Sequence, residues 1–419
     1  MAPHTVGDGL FGTPVTWADV EADMRRELDT AASFGPEKSA KDIGDMKGYM
    51  SKIVLIEPDW VNVDKELPKK FIVKILTQLV MQKFNDYLTT KEEREGEEDK
   101  NLMSDYEELQ KRCHNGEVAA YTMMMKILQW KITIPKIYYM KKFTESNPNK
   151  GYIIMEYLEN TQGIQIYENV SLNQVKQILH HKAVLEANLL DVPLSERKGC
   201  IEKPLQDIFS SKFIRKLFDS MYASMEVGRL SEKAAHLKTI PELTDYKTGD
   251  ELADRLGMEK VFCHGDLWSM NILWRPDGGE ELSLAALVDY QACTFGCPAT
   301  DIVRVLSSCL SGKDRRNHWE ELLEYFYEQL QKEVGERRMP YTLEQLKESY
   351  RQYFPIGAYG IAPAVASLAN IVAQEPDEEL RNRRLEIVME KVESLLDDVL
   401  YFHEQNKKSR TSEHPSSIK

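Results

Sequence analysis

The chain has 419 residues, too many for one typical core, so two or three domains or one large two-lobed unit are expected. Hydrophobic residues make up 42% and charged residues 29%, the proportions of a soluble globular protein. The net charge of −14 argues against a nucleic-acid surface, which needs a Lys/Arg excess, but leaves room for a small phosphate site.

Six cysteines do not make a disulfide framework, and a reducing, cytoplasmic setting fits them. Cys293 and Cys297 form the one close pair, and without a second pair or a His nearby their spacing argues weakly for a metal. The start, MAPHTVGDGLFGTP, carries neither the basic nor the apolar region of a secretory signal.

Thr16 caps a predicted first helix that turns Met24 and Leu28 inward. A Gly- and charge-bearing loop, FGPEKSAKDIGDMKGYM, follows. Strands are predicted at 50–58, 69–76, 135–143 and 151–158. The acidic run KEEREGEED (91–99) reads as a loop or frayed helix, and a helix is predicted over 102–130.

After residue 158 the pattern turns helical. Ser171 with Gln174 reads as a capping box opening a helix to about 190, and helical periodicity returns at 205–225. SLAALVDYQ (283–291) reads as a short strand. Helices are then predicted at 301–311, 315–334, 342–354 (Thr342 and Gln345 a second capping box), 355–373 and 378–404. The stretch 355–373 is uncharged, and a buried helix or helix pair is favoured there over a membrane span. The outline is α+β and two-lobed: a small mixed sheet lobe over 1–158, a mainly helical lobe over 159–405, and a disordered tail over 406–419.

The chemistry concentrates in VFCHGDLWSMNILW, residues 261–274. Asp266 sits between apolar anchors, and Asn271 follows five places later. An Asp that takes a proton from a hydroxyl must be held still, and an Asn across a tight loop can offer its carbonyl oxygen to a divalent cation; phosphoryl transfer uses that order. The competing structural reading has Asp266 capping a turn and Asn271 satisfying backbone. Eighteen residues after Asn271 comes Asp289, in Val288-Asp289-Tyr290-Gln291, a second acidic ligand for the Mg²⁺ that nucleotide phosphates need.

In KKFIVKIL, Phe71, Val73 and Ile75 share one face, and Ile72, Lys74 and Leu76 the other. A Lys among apolar neighbours is costly unless paired. A phosphate oxygen and a carboxylate together would hold it. Glu117, in HNGEVAAYTMM, is the first candidate carboxylate, with Glu107 and Glu108 competing; a surface Lys and a surface Glu are the plain alternative.

Lys74, Glu117, Asp266, Asn271 and Asp289, in that order and context, resemble the machinery of the protein-kinase-like superfamily. Through HGDLWSMN, VDYQ, GEVAAY and IGDMKGYMSKIVLIEPDW, the chain more closely resembles the choline-kinase-like and ecdysteroid-kinase-like small-molecule kinases of insects and nematodes, over about residues 10–405. The resemblance implies ATP and Mg²⁺, with Asp266 as the base, Asn271 and Asp289 on the metal, and Lys74, braced by Glu117, on the α/β-phosphates. It further implies Glu156-Tyr157-Leu158 as an adenine hinge and Ile72, Leu273 and Val288 around the purine. His264 would fix the loop, and Asp301 would buttress it from the next helix.

Three features depart from the pattern. No G-x-G-x-x-G loop precedes the first strands, where Gly44 and Gly48 are the local glycines; the triplet at Asp289 lacks its glycine; and Trp268 stands where protein Ser/Thr kinases place a Lys. Nine residues lie between Gln291 and Asp301, too few for a peptide platform, so a small alcohol, sterol-like or choline-like, is the expected acceptor. Trp268, Tyr353, Phe354 and Tyr359 are available to line its pocket, although plain core packing is the favoured reading for each of them. The expectation is thus a phosphotransferase with an alcohol acceptor and neither nucleic-acid nor membrane partner. A nucleotide-binding scaffold without turnover is the alternative, and a metal-dependent hydrolase built on His264 and Asp266 a weaker one.

Overall fold

The computed structural model describes residues 7–44, 50–79, 81, 97–127, 134–279 and 281–413, with no side-chain description for 97–103 and 410–413. The chain is α+β and forms two compact units. The first comprises Met1–Thr122, Ile134–Asn160 and Ser211–Phe213; the second comprises Met123–Thr133, Thr161–Ser210 and Ile214–Lys419.

The first unit opens with α1 (Trp17–Glu27). Its capping box is reciprocal: the Asp19 amide donates to Thr16 Oγ1 at 3.2 Å, and the Thr16 amide donates to Asp19 Oδ2 at 2.8 Å. Then come β1 (Ser33–Phe34), β2 (Ser39–Asp42), β3 (Ser51–Glu57), β4 (Trp60–Val61), β5 (Phe71–Leu76), α2 (Glu97–Ile127), β6 (Ile137–Lys141) and β7 (Tyr152–Glu156). Five strands form an antiparallel sheet in the order β2-β3-β5-β7-β6, and β1 pairs with β4.

The period of two along β5 decides what the sheet does. Phe71, Val73 and Ile75 enter a core with Val54, Ile56, Tyr152, Ile154 and, from α1, Val20 and Met24. Each such side chain contributes about 2 kcal/mol by burial. Lys74, on the opposite face of β5, meets α2.

Two expectations for this unit are corrected. Residues 39–42, expected in a loop, form β2, because Ala40 and Asp42 pair with Ile56 and Val54 and leave alternate positions to solvent, as an edge strand does. The helix expected at 102 is already formed from Glu97, while residues 91–96 and 128–130 lie outside the described residues, as does Gly48.

The second unit contains β8 (Gln162–Gly163), α3 (Leu172–Leu189), α4 (Leu194–Arg197), α5 (Pro204–Ser210) and α6 (Lys212–Ala223), whose first two residues cluster with the first unit. It continues with α7 (Ser231–Leu237), α8 (Tyr246–Asp250), α9 (Leu252–Arg255), β9 (Val261–Cys263), β10 (Ile272–Pro276), β11 (Leu282–Leu287) and β12 (Thr294–Gly296). Four longer helices close it: α10 (Ala299–Cys309), α11 (Gly312–Val334), α12 (Leu343–Val372) and α13 (Glu378–Glu413). Ser171 with Gln174 and Thr342 with Gln345 form reciprocal capping boxes on α3 and α12. The hairpin β10–β11 and the pair β9–β12 hold the two ends of the 261–274 segment.

Three expectations for the second unit change. The stretch 205–225 is two helices, α5 and α6, rather than one. Residues 342–354 and 355–373 are one helix, α12, which carries Pro355 and Pro363 inside it. Each proline removes one backbone donor, but packing along α10 and α13 keeps the helix going. By length and composition α12 could cross a membrane, yet 61% of its most apolar window is buried within the protein. Lastly, residues 406–413, expected in a disordered tail, continue α13, where Asn406 donates to the Arg351 carbonyl at 3.0 Å; residues 414–419 lie outside the described residues.

Candidate active site

In the first unit, β5 carries Lys74 into a face closed by α2. Its ammonium lies 2.7 Å from Glu117 Oε2, with side-chain exposures of 7% and 1%. A pair this dry is strongly coupled, since losing either partner strands a buried charge. Of the competing carboxylates, Glu107 pairs with Lys111 at 2.6 Å and Glu108 is exposed. His114, one turn before Glu117, is buried with Nε2 2.8 Å from the Lys141 carbonyl. Burial, with the neighbouring Lys74 charge, brings its pKa down to about 4, so the ring is neutral.

Ile72 is buried on the same face of β5 as Lys74. Glu156 ends β7, and its amide donates to the Lys136 carbonyl at 2.8 Å. Tyr157 and Leu158 follow beyond the strand.

In the second unit, β9 delivers the chain into a loop whose geometry depends on Gly265. Its φ is +79°, and a Cβ there would lie 2.0 Å from the Ala292 carbonyl oxygen. No other residue type fits. Asp301, buried at the start of α10, accepts the amides of His264 at 2.9 Å and Gly265 at 2.8 Å. His264 accepts the Asp266 amide at Nδ1 (3.3 Å) and donates through Nε2 to the Val288 carbonyl (3.0 Å). Burial lowers its pKa against the pull of Asp301 and Asp266, which keeps the ring neutral and the tautomer fixed. One imidazole therefore joins the Asp266 loop to the residue preceding Asp289.

Asn271 spends its amide group on Asp266, donating to the main-chain carbonyl at 2.9 Å and to Oδ2 at 3.2 Å. Its carbonyl oxygen is thereby the end suited to a cation. The Asn271 main-chain carbonyl accepts the Val288 amide at 3.0 Å. Asp289 then adopts φ +70°, a left-handed conformation that Asp tolerates better than most residues. Leu273 and Val288 are half-buried on this hairpin. The second unit thus gathers His264, Asp266, Asn271, Asp289 and Asp301, and the first unit gathers Lys74 with Glu117. An oxygen set of one amide and one carboxylate fits Mg²⁺, which keeps waters and takes phosphate oxygens rather than a full protein cage. Among the described residues no group of three His, Cys, Asp or Glu side chains could hold a metal ion. Cys293 instead has its sulfur 3.6 Å from that of Cys200.

Four residues that sequence reasoning missed hold this loop. Lys182, buried on α3, lies 3.0 Å from Asp301 Oδ2 and 3.2 Å from Glu186 Oε2, and Tyr341 hydrogen-bonds Glu186. Burial works against the Asp301 charge, but Lys182 and the two loop amides outweigh it and hold the carboxyl below its ordinary pKa. Burial dominates at Glu186 and pushes that carboxyl up. The signal was present: Lys182 and Glu186 stand one turn apart inside the apolar run AVLEANLL and its lead-in. The fourth is Arg304, whose Nη2 lies 2.5 Å from Asp266 Oδ1 and whose guanidinium sits 5.6 Å from the centre of the Trp268 ring. Its place one turn after Asp301 on α10 was the available clue.

Two of the aromatics offered for an acceptor pocket are spent on packing. Phe354 is fully buried against Tyr350 and Phe402, and Tyr359 packs on Phe218 and Tyr222. Residues 353 and 354 are about 100° apart around a helix, so they serve different faces. Tyr353 alone of the three lines a cavity, of about 140 Å³, between α8, α9, α12 and α13.

The family described as "Uncharacterized oxidoreductase dhs-27" (DUF1679) matches residues 4–407, and the chain belongs to it. The chain is similar to the Caenorhabditis elegans protein of that name, 28% identical over 254 residues, 58% of this chain but 30% of that protein. It is also similar to the "Uncharacterized kinase-like protein D1044.1" of the same organism, 24% identical over 293 residues, covering 68% of this chain and 75% of that one. The chain thus spans less than a third of the length of the first relative. Among solved structures it is similar to choline kinase from Cryptosporidium parvum Iowa II, with 13% identity, coverage of 86% and 90% of the two chains, and a TM-score of 0.46.

Proposed function

We propose that this chain is an ATP-dependent kinase that transfers the γ-phosphoryl group to the hydroxyl of a small alcohol, on a protein-kinase-like fold. The observation that carries the reading is the Asp266 loop. A carboxylate and an amide five residues apart are hydrogen-bonded to each other, pinned by Asp301 from behind and tied through His264 to Val288, beside Asp289.

Asp266 accepts the acceptor's hydroxyl proton as the oxygen attacks phosphorus, and the bond to the β–γ bridging oxygen breaks to release ADP. Asn271 and Asp289 would hold Mg²⁺, which supplies charge neutralisation on the phosphates. Lys74, its charge fixed by Glu117, binds phosphate oxygens, and Tyr157 and Leu158 offer backbone beyond β7 for adenine. Ile72, Leu273 and Val288 are the apolar side chains proposed for the purine. The short 292–300 segment supports a small alcohol over a peptide. The oxidoreductase named among the relatives is a longer protein, of which the match covers 30%.

The test is incubation with Mg-ATP and a panel of amino alcohols, sterols and glycosides. ADP formed together with a phosphorylated product is the expected result, and Asp266→Asn should abolish transfer while nucleotide binding survives. Nucleotide binding with no turnover on any acceptor would replace this reading with a scaffold, and an active Asp266→Asn enzyme would remove the base.

A further inference from the structure

Arg304 is the cation that contacts the proposed base. Its Nη2 lies 2.5 Å from Asp266 Oδ1, while Asp266 Oδ2 accepts the Asn271 amide at 3.2 Å. The guanidinium lies against Trp268, and its Nε is buried with no hydrogen-bond partner. The group is not a surface charge that happens to fold back: α10 holds it, one turn after the buried Asp301 that grips the loop amides. One rigid helix therefore sets the loop backbone and the guanidinium together.

Arginine's donors form a planar fork that matches phosphoryl oxygens two at a time. An acceptor hydroxyl held on Asp266 must stand about 3 Å from the phosphorus it attacks. The oxygens of that phosphorus are then within reach of a guanidinium touching the same carboxylate. Only Nη2 is committed to Asp266, and the side chain is 31% exposed, so the guanidinium is open to a further acceptor.

Resting on the kinase reading, we propose that Arg304 is a catalytic residue that binds the phosphoryl group in transit. It engages oxygens of the γ-phosphoryl as the bond to the ADP oxygen breaks and the bond to the acceptor oxygen forms, with the hydroxyl proton passing to Asp266. Trp268 and α10 hold the guanidinium in place, so little reorganisation is needed as charge builds on the phosphoryl oxygens.

Titration calorimetry of the full chain with Mg-ADP, with and without aluminium fluoride as a stand-in for the moving phosphoryl group, tests this. Aluminium fluoride should tighten Mg-ADP binding to the wild type at least about tenfold, and Arg304→Met should lose most of that gain while binding Mg-ADP alone within about twofold of wild type. Arg304→Lys, which keeps the charge but not the fork, should lose about half the gain on a logarithmic scale, and it stands in if the Met variant does not fold. The same loss should appear when Arg304→Met is placed on Asp266→Asn, where no ion pair remains. A fluoride gain kept by Arg304→Met or Arg304→Lys, a loss seen only when Asp266 is present, or no gain in the wild type would each overturn the assignment. The second of these would make Arg304 a brace for Asp266. A wild type that binds no Mg-ADP would instead remove the kinase reading itself, and this inference with it.

Discussion

Lys182→Met removes the cation under the loop without touching Asp266. In the wild type, one ammonium serves Asp301 at 3.0 Å and Glu186 at 3.2 Å, with side-chain exposures of 3%, 2% and 0% for Lys182, Asp301 and Glu186. Breaking such a buried pair from one side costs about 3–5 kcal/mol, because the partner charge is left uncompensated. Two features favour the lower end. Asp301 keeps its two loop amides, and burial already drives Glu186 toward its neutral form. The expected loss is therefore about 3 kcal/mol, or a fall of about 6–12 °C in Tm for a unit of this size. Without Lys182, burial is opposed mainly by the two loop amides and the Asp301 pKa rises, so the carboxyl protonates at higher pH and relieves the misfit. The gap between wild type and variant should thus be full at pH 7 and narrow on acidification. Urea unfolding followed by tryptophan fluorescence reads both quantities. Replacing Glu186 by Leu in addition should recover part of the loss, since one stranded carboxyl then remains instead of two. A variant within about 0.5 kcal/mol of wild type, or a gap that widens toward pH 5, would refute the account.

Two further outcomes follow from local geometry. Gly265→Ala should cost about 3 kcal/mol, adding a clash with the Ala292 carbonyl to left-handed strain, whereas Gly335→Ala, at φ +63° with open space around its Cβ, should cost about 1 kcal/mol; matched Tm shifts in the two variants would remove the clash from the argument. His114 titrates at about 4 in the folded chain against 6.5 in the unfolded one, so its contribution is complete above pH 6.5 and is lost as pH falls toward 4. At 1.36 kcal/mol per pH unit this amounts to about 3 kcal/mol, and His114→Gln should lessen the drop in urea midpoint between pH 7 and 4.5; parallel midpoints in the two proteins would count against the buried neutral ring.

Much of the fold was legible because its signals are local. The Thr16, Ser171 and Thr342 caps need only their third neighbours, and β3, β5 and β7 announce themselves by short apolar, β-branched runs. The elements that were missed depend on a partner. β2 is polar and exists because β3 offers it an edge, and α12 runs through Pro355 and Pro363 because α10 and α13 hold it. At the site, the interval between Asp266 and Asn271 marked both as residues of one short loop, but their mutual hydrogen bond was visible only in the structure. Core packing was the favoured reading of Phe354, and its partners Tyr350 and Phe402 became visible only in the structure.

The sequence by itself determined the polar residues and the loops and strands that carry them, because those depend on composition and short-range periodicity. Only the tertiary structure decided which charges meet: it chose Glu117 over Glu107 and Glu108 for Lys74, and it brought Lys182 to Asp301 and Glu186, and Arg304 to Asp266. Ion pairing is set by distance and burial, and neither is a property of separation along the chain.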